Sequence, residues 1–523
     1  MFKYLKNDLL SGLVVFLVAL PLCLGIAHAS GAPLFAGIIS GVIGGIVVGF
    51  FSKSSLSVSG PAAGLVVIML NAISDLGGYE SLLVAIVLAG IIQLAFGFFK
   101  AGIVGLYFPS SVIKGMLAAI GLILILKQIP HLIGFDKDAF GEMEFILEDG
   151  SNTLTYFVSA LSHVTLGSLI IGFASMAMLI IWSLPIIQNN QKLKLIPGAL
   201  LAVILGIGIN YFFISSASPL AIGSEHLVQL PIADKETSFL SFFQFPEWSE
   251  LFNFKVYVTA FTIAIIASLE TLLSIEAVDK LDPLKRRTPQ NDELKAQGIG
   301  NILSGLIGGL PVTSVIVRSS ANLDSGAKTK MSAIFHGIIL LLTVAIIPTI
   351  LNRIPLAALA AILIFVGYKL TKPLLYKKQY QLGRQQFIPF IATIVAILFT
   401  DLLIGILIGL SIGIFYILRA NHRVTYYYSE DLDKETDKHI ITIKLSEHVS
   451  FLNKANLQLT LDQLPENSEV IVDGTDSKDI DFDVLEIIYN FEHLAKQKNI
   501  ILTFKNIPAL PTRKKPIINL KKQ

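Results

Sequence analysis

From position 8 to position 420 the chain alternates long apolar runs with short polar breaks. Runs of about 18 residues or more recur there, the length a helix needs to cross a hydrocarbon layer of roughly 30 Å. The pattern predicts an α-helical polytopic membrane protein with about fourteen segments, near 8–28, 33–51, 61–73, 79–99, 109–127, 160–184, 197–214, 257–278, 297–310, 312–323, 331–350, 355–368, 387–401 and 403–420. The third and tenth are too short to span alone as helices. After Arg419 the pattern changes. Residues 421–437 form a polar linker, and residues 438–510 alternate short β-rich runs with amphipathic stretches, as a small α/β domain does. Residues 511–523 are a basic tail, read as solvated.

The polar breaks carry an orientation. Residues 128–155 hold six acids and one lysine, and residues 215–256 hold five acids and two lysines. The loop "KLDPLKRRTPQNDELK" is basic, and residues 368–386 hold five Lys or Arg and no acid. Basic loops stay in the cytoplasm. With both termini inside, fourteen segments place every basic loop in the cytoplasm and both acidic loops outside. The expected location is the cytoplasmic (inner) membrane. The first run, "MFKYLKNDLLSGLVVFLVALPLCLGIAHASG", has the outline of a signal peptide but continues at once into further spans, so it reads as a retained helix.

Split seven and seven, the segments repeat. The third opens at "LSVSGPAAGL" and the tenth at "GGLPVTSVIV". Pro61 follows the start of its half, near Asp8, by the same distance within one residue as Pro311 follows Tyr257. An odd number of segments per half makes the two repeats, about 8–214 and 257–420, antiparallel. Short, Gly/Pro-interrupted segments at matching positions of two inverted halves point to a transporter binding site.

A helix that starts at mid-membrane turns its free N–H groups and positive dipole end inward, and two such ends face to face suit an anion. The candidates are Ser59, Gly60, Ala62 and Ala63 on one side and Thr313, Ser314 and Val315 on the other, with Arg318 one turn beyond Ser314. A buried arginine faces a bundle interior or an aqueous cavity. Glu270, about 13 residues into the eighth span, lies near the midplane, where a carboxylate pairs, holds a cation or carries a proton. Glu276 and Asp279 read as boundary charges, and His28, Asp75 and Lys127, at span ends, as solvated.

Composition agrees and excludes alternatives. The chain is 53% hydrophobic and 15% charged, against about 25% charged for soluble proteins. Its one cysteine, Cys23, excludes an internal disulfide and a cysteine zinc site. There is no HExxH and no phosphate-binding loop, and the nine histidines are scattered. "GLSIG" at 409–413 lacks the strand-to-helix elbow of a hydrolase. No enzyme, no cofactor, no metal site and no nucleic-acid partner is expected; the coupling ion would be Na⁺ or H⁺.

These residues resemble the sulfate permease (SulP) family of anion transporters over nearly the whole chain. "DLLSGLVVFLVALPLCLGIAHASG", "SVSGPAAGLV", "SLETLLSIEAVDKL" and "GIGNILSGLIGGLPVTSVIVRSSANLDSGAKTKMSAIFHG" are similar to its signatures, and the C-terminal unit to its STAS domain. The resemblance implies a 7+7 inverted repeat with a core bundle moving against a gate bundle, usually as a homodimer, and a cytoplasmic STAS unit that takes a protein partner. It implies an anion between the half-helices, held by Ser59, Gly60, Ala62, Thr313, Ser314, Val315 and Arg318, with Glu270 at the position of cation or proton coupling. Family substrates include sulfate, bicarbonate, chloride and dicarboxylates. Nucleobase permeases share the repeat plan but lack a STAS unit, so a coupled transporter of a small inorganic anion, bicarbonate or sulfate, is favoured; the alternatives are a dicarboxylate- or nucleobase-type permease of the same fold and a passive anion channel or exchanger. Two positions depart from the family: Leu22 replaces a common Gln, and Ile26 a common Tyr. In the STAS-like loop, Asp481 and Phe482 stand where regulatory members have a phosphorylatable hydroxyl.

Overall fold

The fourteen segments appear in a computed structural model, which describes residues 4–137, 152–190, 193, 196–232, 239–422, 426–433 and 438–510. They are α1 (Leu5–Ala29), α2 (Leu34–Phe51), α3 (Ala63–Leu76), α4 (Tyr79–Phe98), α5 (Ser110–Leu132), α6 (Leu166–Trp182), α7 (Gly198–Ser215), α8 (Phe254–Leu281), α9 (Gln290–Leu306), α10 (Ile316–Asp324), α11 (Met331–Ile346), α12 (Leu356–Leu370), α13 (Arg384–Phe399) and α14 (Leu402–His422). Two three-residue strands, β1 (Ser59–Pro61) and β2 (Val312–Ser314), precede α3 and α10. The chain divides into two units, Met1–Ser411 and Ile412–Gln523.

Packing in the first unit follows a two-fold logic. Helix α1 packs along α11 as α8 packs along α4, and α2 meets α11 as α9 meets α4. Helix α5 packs on α12 across the same axis, and α5 meets α13 as α12 meets α6. Helices α1–α4 and α8–α11 therefore form one bundle, and α5–α7 and α12–α14 the other. Both are apolar at their centres: Leu82, Leu83 and Ile86 in the first and Ile113, Leu359 and Phe390 in the second are almost fully buried.

The loop between α7 and α8 is sewn to both bundles. Its first part accepts and donates at the start of α12, with Val228 N–H on Ile354 O at 3.0 Å and Leu230 N–H on Asn352 Oδ1 at 2.7 Å. Its second part lies on α2 and α4, where Phe242 and Phe243 stack on Phe35 and Glu247 N–H reaches Glu80 O at 3.2 Å.

One boundary differs from the sequence reading for a physical reason. Residues 290–296, read as loop because they are polar, form the first turns of α9. Glu293 among them is fully buried on Ser52 and Gln297, while Gln290, Asn291, Asp292 and Lys295 stay half-buried. Lys127, expected at a solvated span end, is likewise buried inside α5.

The second unit holds a sheet in the order β3 (Tyr426–Asp433), β4 (Lys438–Leu445), β6 (Glu469–Asp473), β8 (Ile501–Lys505), antiparallel at its first pair and parallel after. Short β5 (His448–Val449) pairs with β7 (Asp479–Ile480). Helices α15 (Lys454–Asp462) and α16 (Phe482–Gln497) cover a core of Ile441, Ile443, Val470, Val472, Val484 and Ile488. This is the α/β unit expected from the sequence. Asp481 caps α16 by accepting from Asp483 N–H at 2.9 Å, and Phe482 is exposed.

Candidate functional site

The two broken segments meet. β1 and β2 pair antiparallel, Ser59 opposite Ser314, Gly60 opposite Thr313 and Pro61 opposite Val312, so the two repeats share one ladder at the centre of the bundle. Val315 N–H extends it to Val58 O at 3.0 Å.

Helix α9 holds this ladder from behind. Glu293, Gln297 and Asn301 lie at i, i+4 and i+8, one face of the helix, and all three are fully buried. Asn301 Oδ1 accepts from Val312 N–H at 2.5 Å while its Nδ2 donates to Val312 O at 3.0 Å, so one side-chain amide replaces a strand neighbour. Gln297 Nε2 donates to Ser59 Oγ at 2.7 Å and to Glu293 Oε1 at 3.0 Å, and Glu293 Oε2 accepts from Ser52 Oγ at 2.5 Å. From α8, Thr271 Oγ1 accepts from Ser314 N–H at 3.2 Å.

In front of the ladder lies a cavity of about 540 Å³ between the two bundles. Ala63 and Gly64 at the start of α3 and Val315 to Arg318 at the start of α10 line it, so both helix N-termini present free N–H groups there. Glu270 and Ser274 come from α8, and Leu22 and Ile26 from α1. The opposite wall is Met116, Ile120 and Ile123 of α5 and the turn from Ile397 to Ile406.

Of the residues singled out in the sequence, Ala63, Val315, Arg318 and Glu270 line the cavity, and the two departing positions, Leu22 and Ile26, form its apolar side. Ser59, Gly60, Ala62, Thr313 and Ser314 do not line it; all but Ala62, which joins β1 to α3, build the ladder beneath. The hydroxyls of Ser59 and Ser314 are turned to Gln297 and to Ser57, and Thr313 Oγ1 is buried with no partner. Strand alternation puts Ser59 and Ser314 on one face of the ladder and Thr313 on the other with Gly60, which lies against Arg318.

Arg318 is fully buried, its Nη2 donating to Pro61 O at 3.4 Å, while Nε and Nη1 have no nitrogen or oxygen partner among the described residues. Glu270 has a buried Oε2 with no partner among the described residues, and a β-carbon on Gly64 would stand 3.3 Å from it. The carboxylate thus sits against the very helix N-terminus an anion would use. Ser274, one turn from Glu270, and Asp401, in the break between α13 and α14, were not singled out in the sequence. Ser274 carries the i+4 spacing from Glu270 as its signal; Asp401 carries only its place between two apolar runs.

The model of the sulfate permease family matches residues 5–398. The chain belongs to that family. It is a multi-pass membrane transporter and not an enzyme. It is 28% identical over 432 residues to YvdB of Bacillus subtilis, a candidate sulfate transporter, covering 82% of this chain and 76% of that one. It is 26% identical over 421 residues to the bicarbonate transporter BicA of Picosynechococcus, covering 79% of this chain and 70% of that one. Among solved structures, the transmembrane domain of a cyanobacterial BicA aligns with a TM-score of 0.54 and 25% identity, covering 79% of this chain and 98% of that one. The overall structure of SLC26A9 aligns with a TM-score of 0.66 at 15% identity, covering 98% of this chain and 86% of that one, a likeness of fold.

Proposed function

We propose that this family member is a secondary active transporter of a small inorganic anion, bicarbonate ahead of sulfate, coupled to Na⁺ or H⁺. The observation that carries it is the pair of half-helix N-termini opening into one cavity beside Arg318 and Glu270. The free N–H groups and the guanidinium replace the water an anion sheds.

Coupling follows from where Glu270 sits. Ionised, it occupies the positive end of α3 and repels an anion from it. Neutralised by a proton or a bound cation, it leaves that end to the substrate. Cation and anion then enter together, which uptake against a negative-inside potential requires. Bicarbonate is favoured because the lining is mostly apolar, with two carboxylates against one guanidinium. The cost of dehydrating a dianion there grows steeply with its charge. BicA among the relatives supports bicarbonate, and YvdB, a candidate sulfate transporter, keeps sulfate beside it. The working arrangement is a homodimer in the cytoplasmic membrane, both termini inside, with the C-terminal unit offered to a cytoplasmic protein partner.

Uptake of labelled bicarbonate into proteoliposomes tests this, with an inward Na⁺ gradient, then an inward H⁺ gradient, and excess sulfate as competitor. Accumulation driven by one gradient and lost in Glu270→Gln is the expected result. Full accumulation in that variant sinks the role of Glu270, and flux that never exceeds equilibrium sinks active transport in favour of a channel.

A further inference from the structure

Three charged side chains line the cavity. Arg318 belongs to α10, which carries one of the anion-facing N-termini, and Glu270 to α8 beside the other; Asp401 belongs to the wall across from them. Asp401 sits where the chain breaks between α13 and α14. Thr400 leaves helical geometry there, with φ −131° and ψ −123°. Asp401 Oδ1 accepts from Ile404 N–H at 2.8 Å and so caps α14. Its other oxygen, Oδ2, has no protein donor among the described residues, and neither Asp401 nor Glu270 takes part in an ion pair there.

The positive end of α14 favours a carboxylate at this cap, but the same charge also lines the cavity. Ser and Asn cap a helix as well as Asp does, and either would leave the cavity neutral at that point. An ionised carboxylate facing an anion path is unfavourable unless something positive accompanies the anion. Arg318 cannot serve both carboxylates and the substrate: its guanidinium is held against the ladder, on Pro61 O. We propose that Asp401 recruits the coupling cation, a sodium ion or a proton, from the gate side, so that the anion enters the cavity only as a charge-balanced partner of that cation. This rests on the coupled-transport reading and adds a second carboxylate to it. Glu270 on one wall and Asp401 on the other then divide the work. Asp401 attracts the cation on entry, and Glu270 releases the N-terminus of α3 when the cation arrives.

The test uses the full-length protein in proteoliposomes. Labelled bicarbonate uptake is followed at fixed anion while Na⁺ and then pH are varied, and anion-for-anion exchange is measured separately. Asp401→Asn and Asp401→Ser keep a cap and remove the charge; Asp401→Glu keeps the charge. The expected result is that the Asn and Ser variants retain exchange but need at least about tenfold more Na⁺ or H⁺ for half-maximal uptake, with Glu within about threefold of the parent. Parent-like cation dependence in Asn and Ser overturns the proposal. So does loss of exchange in both of them, which marks a packing role. Uptake by the parent that ignores both cations overturns it together with the coupling half of the proposed function, while exchange still reports anion transport. A shift in Asp401→Asn with none in Glu270→Gln leaves this proposal standing and removes the role given to Glu270.

Discussion

Gly60 lies in direct apposition to Arg318: a β-carbon at position 60 would overlap Nη1 of the guanidinium. The absence of a side chain on β1 is what lets a fully buried arginine lie across the ladder. Gly60→Ala must push the guanidinium off Pro61 O, and overpacking of this kind costs about 1–3 kcal/mol. The expected outcome is a folded protein, with a thermal midpoint a few degrees lower, whose bicarbonate uptake falls by at least about tenfold. Unfolding scans and proteoliposome uptake on one preparation check both halves.

Asn301 acts through Val312 rather than on the substrate. Asn301→Leu leaves Val312 N–H and C=O buried without partners, at about 1–3 kcal/mol for each such group. Asn301→Asp keeps the acceptor for the N–H and loses the donor. Leu is expected to destabilise more than Asp in unfolding scans, and both are expected to weaken anion affinity by loosening β2. Equal stability of Leu and the parent would remove the clasp.

The apolar side of the cavity offers a gain of function. Leu22 and Ile26 line it from α1. Leu22→Gln places a donor-bearing amide beside the anion path. It is expected to improve competition by sulfate against labelled bicarbonate by a few fold, about 1 kcal/mol for one added hydrogen bond. Inhibition curves with sulfate report the change directly.

A pH response is built into the loops that follow α5 and α7. Asp136 accepts from Nδ1 of His131 and of His226, each at 2.6 Å, tying the end of α5 to the loop before α8. The hydrogen bond to Asp136 raises His226 above its ordinary value against the opposing effect of burial, and Glu225 at 3.7 Å adds to the rise. Burial pushes Asp136 up, but hydrogen bonds from His131 and His226 outweigh it and hold the carboxyl below its usual value. The stability from His226 is therefore complete below about pH 6.5 and is lost as pH rises through the raised value. That from Asp136 is complete above about pH 4 and is lost as pH falls through the lowered value. The thermal midpoint is expected to fall from pH 6 toward pH 8, and His226→Gln to flatten that slope.

Much of this architecture was legible because membrane helices announce themselves by apolar length. The fourteen segments, the two broken ones at matching depth, and Arg318 and Glu270 as buried charges all came from local pattern. What did not come is long-range. β1 and β2 are three residues each, too short for an alternating period, and each finds its partner in the other repeat. The turn of strand that aims Ser59 and Ser314 away from the cavity follows from that pairing alone. The opening of α9 read as a loop because "QNDELKA" is polar. Its meaning lies in the spacing of Glu293, Gln297 and Asn301 on one face, which only a buried polar neighbour makes favourable. Asp401 closed the predicted span 387–401, where nothing in the sequence tells a cap from a cavity wall.

The two-repeat ladder also bears on how the protein is made. The hydroxyls of Ser57 and Ser314, which meet beside β1 and β2, are 257 residues apart in the chain. During synthesis the first repeat enters the bilayer with β1 unpaired and α3 too short to cross, and it waits there until the ribosome has delivered the tenth segment. The first half of the chain should therefore need shelter, by the insertion machinery or by neighbouring helices, until β2 at residues 312–314 has been delivered. A chain cut between α7 and α8 should accordingly be degraded when either fragment is made alone and survive when both are made together.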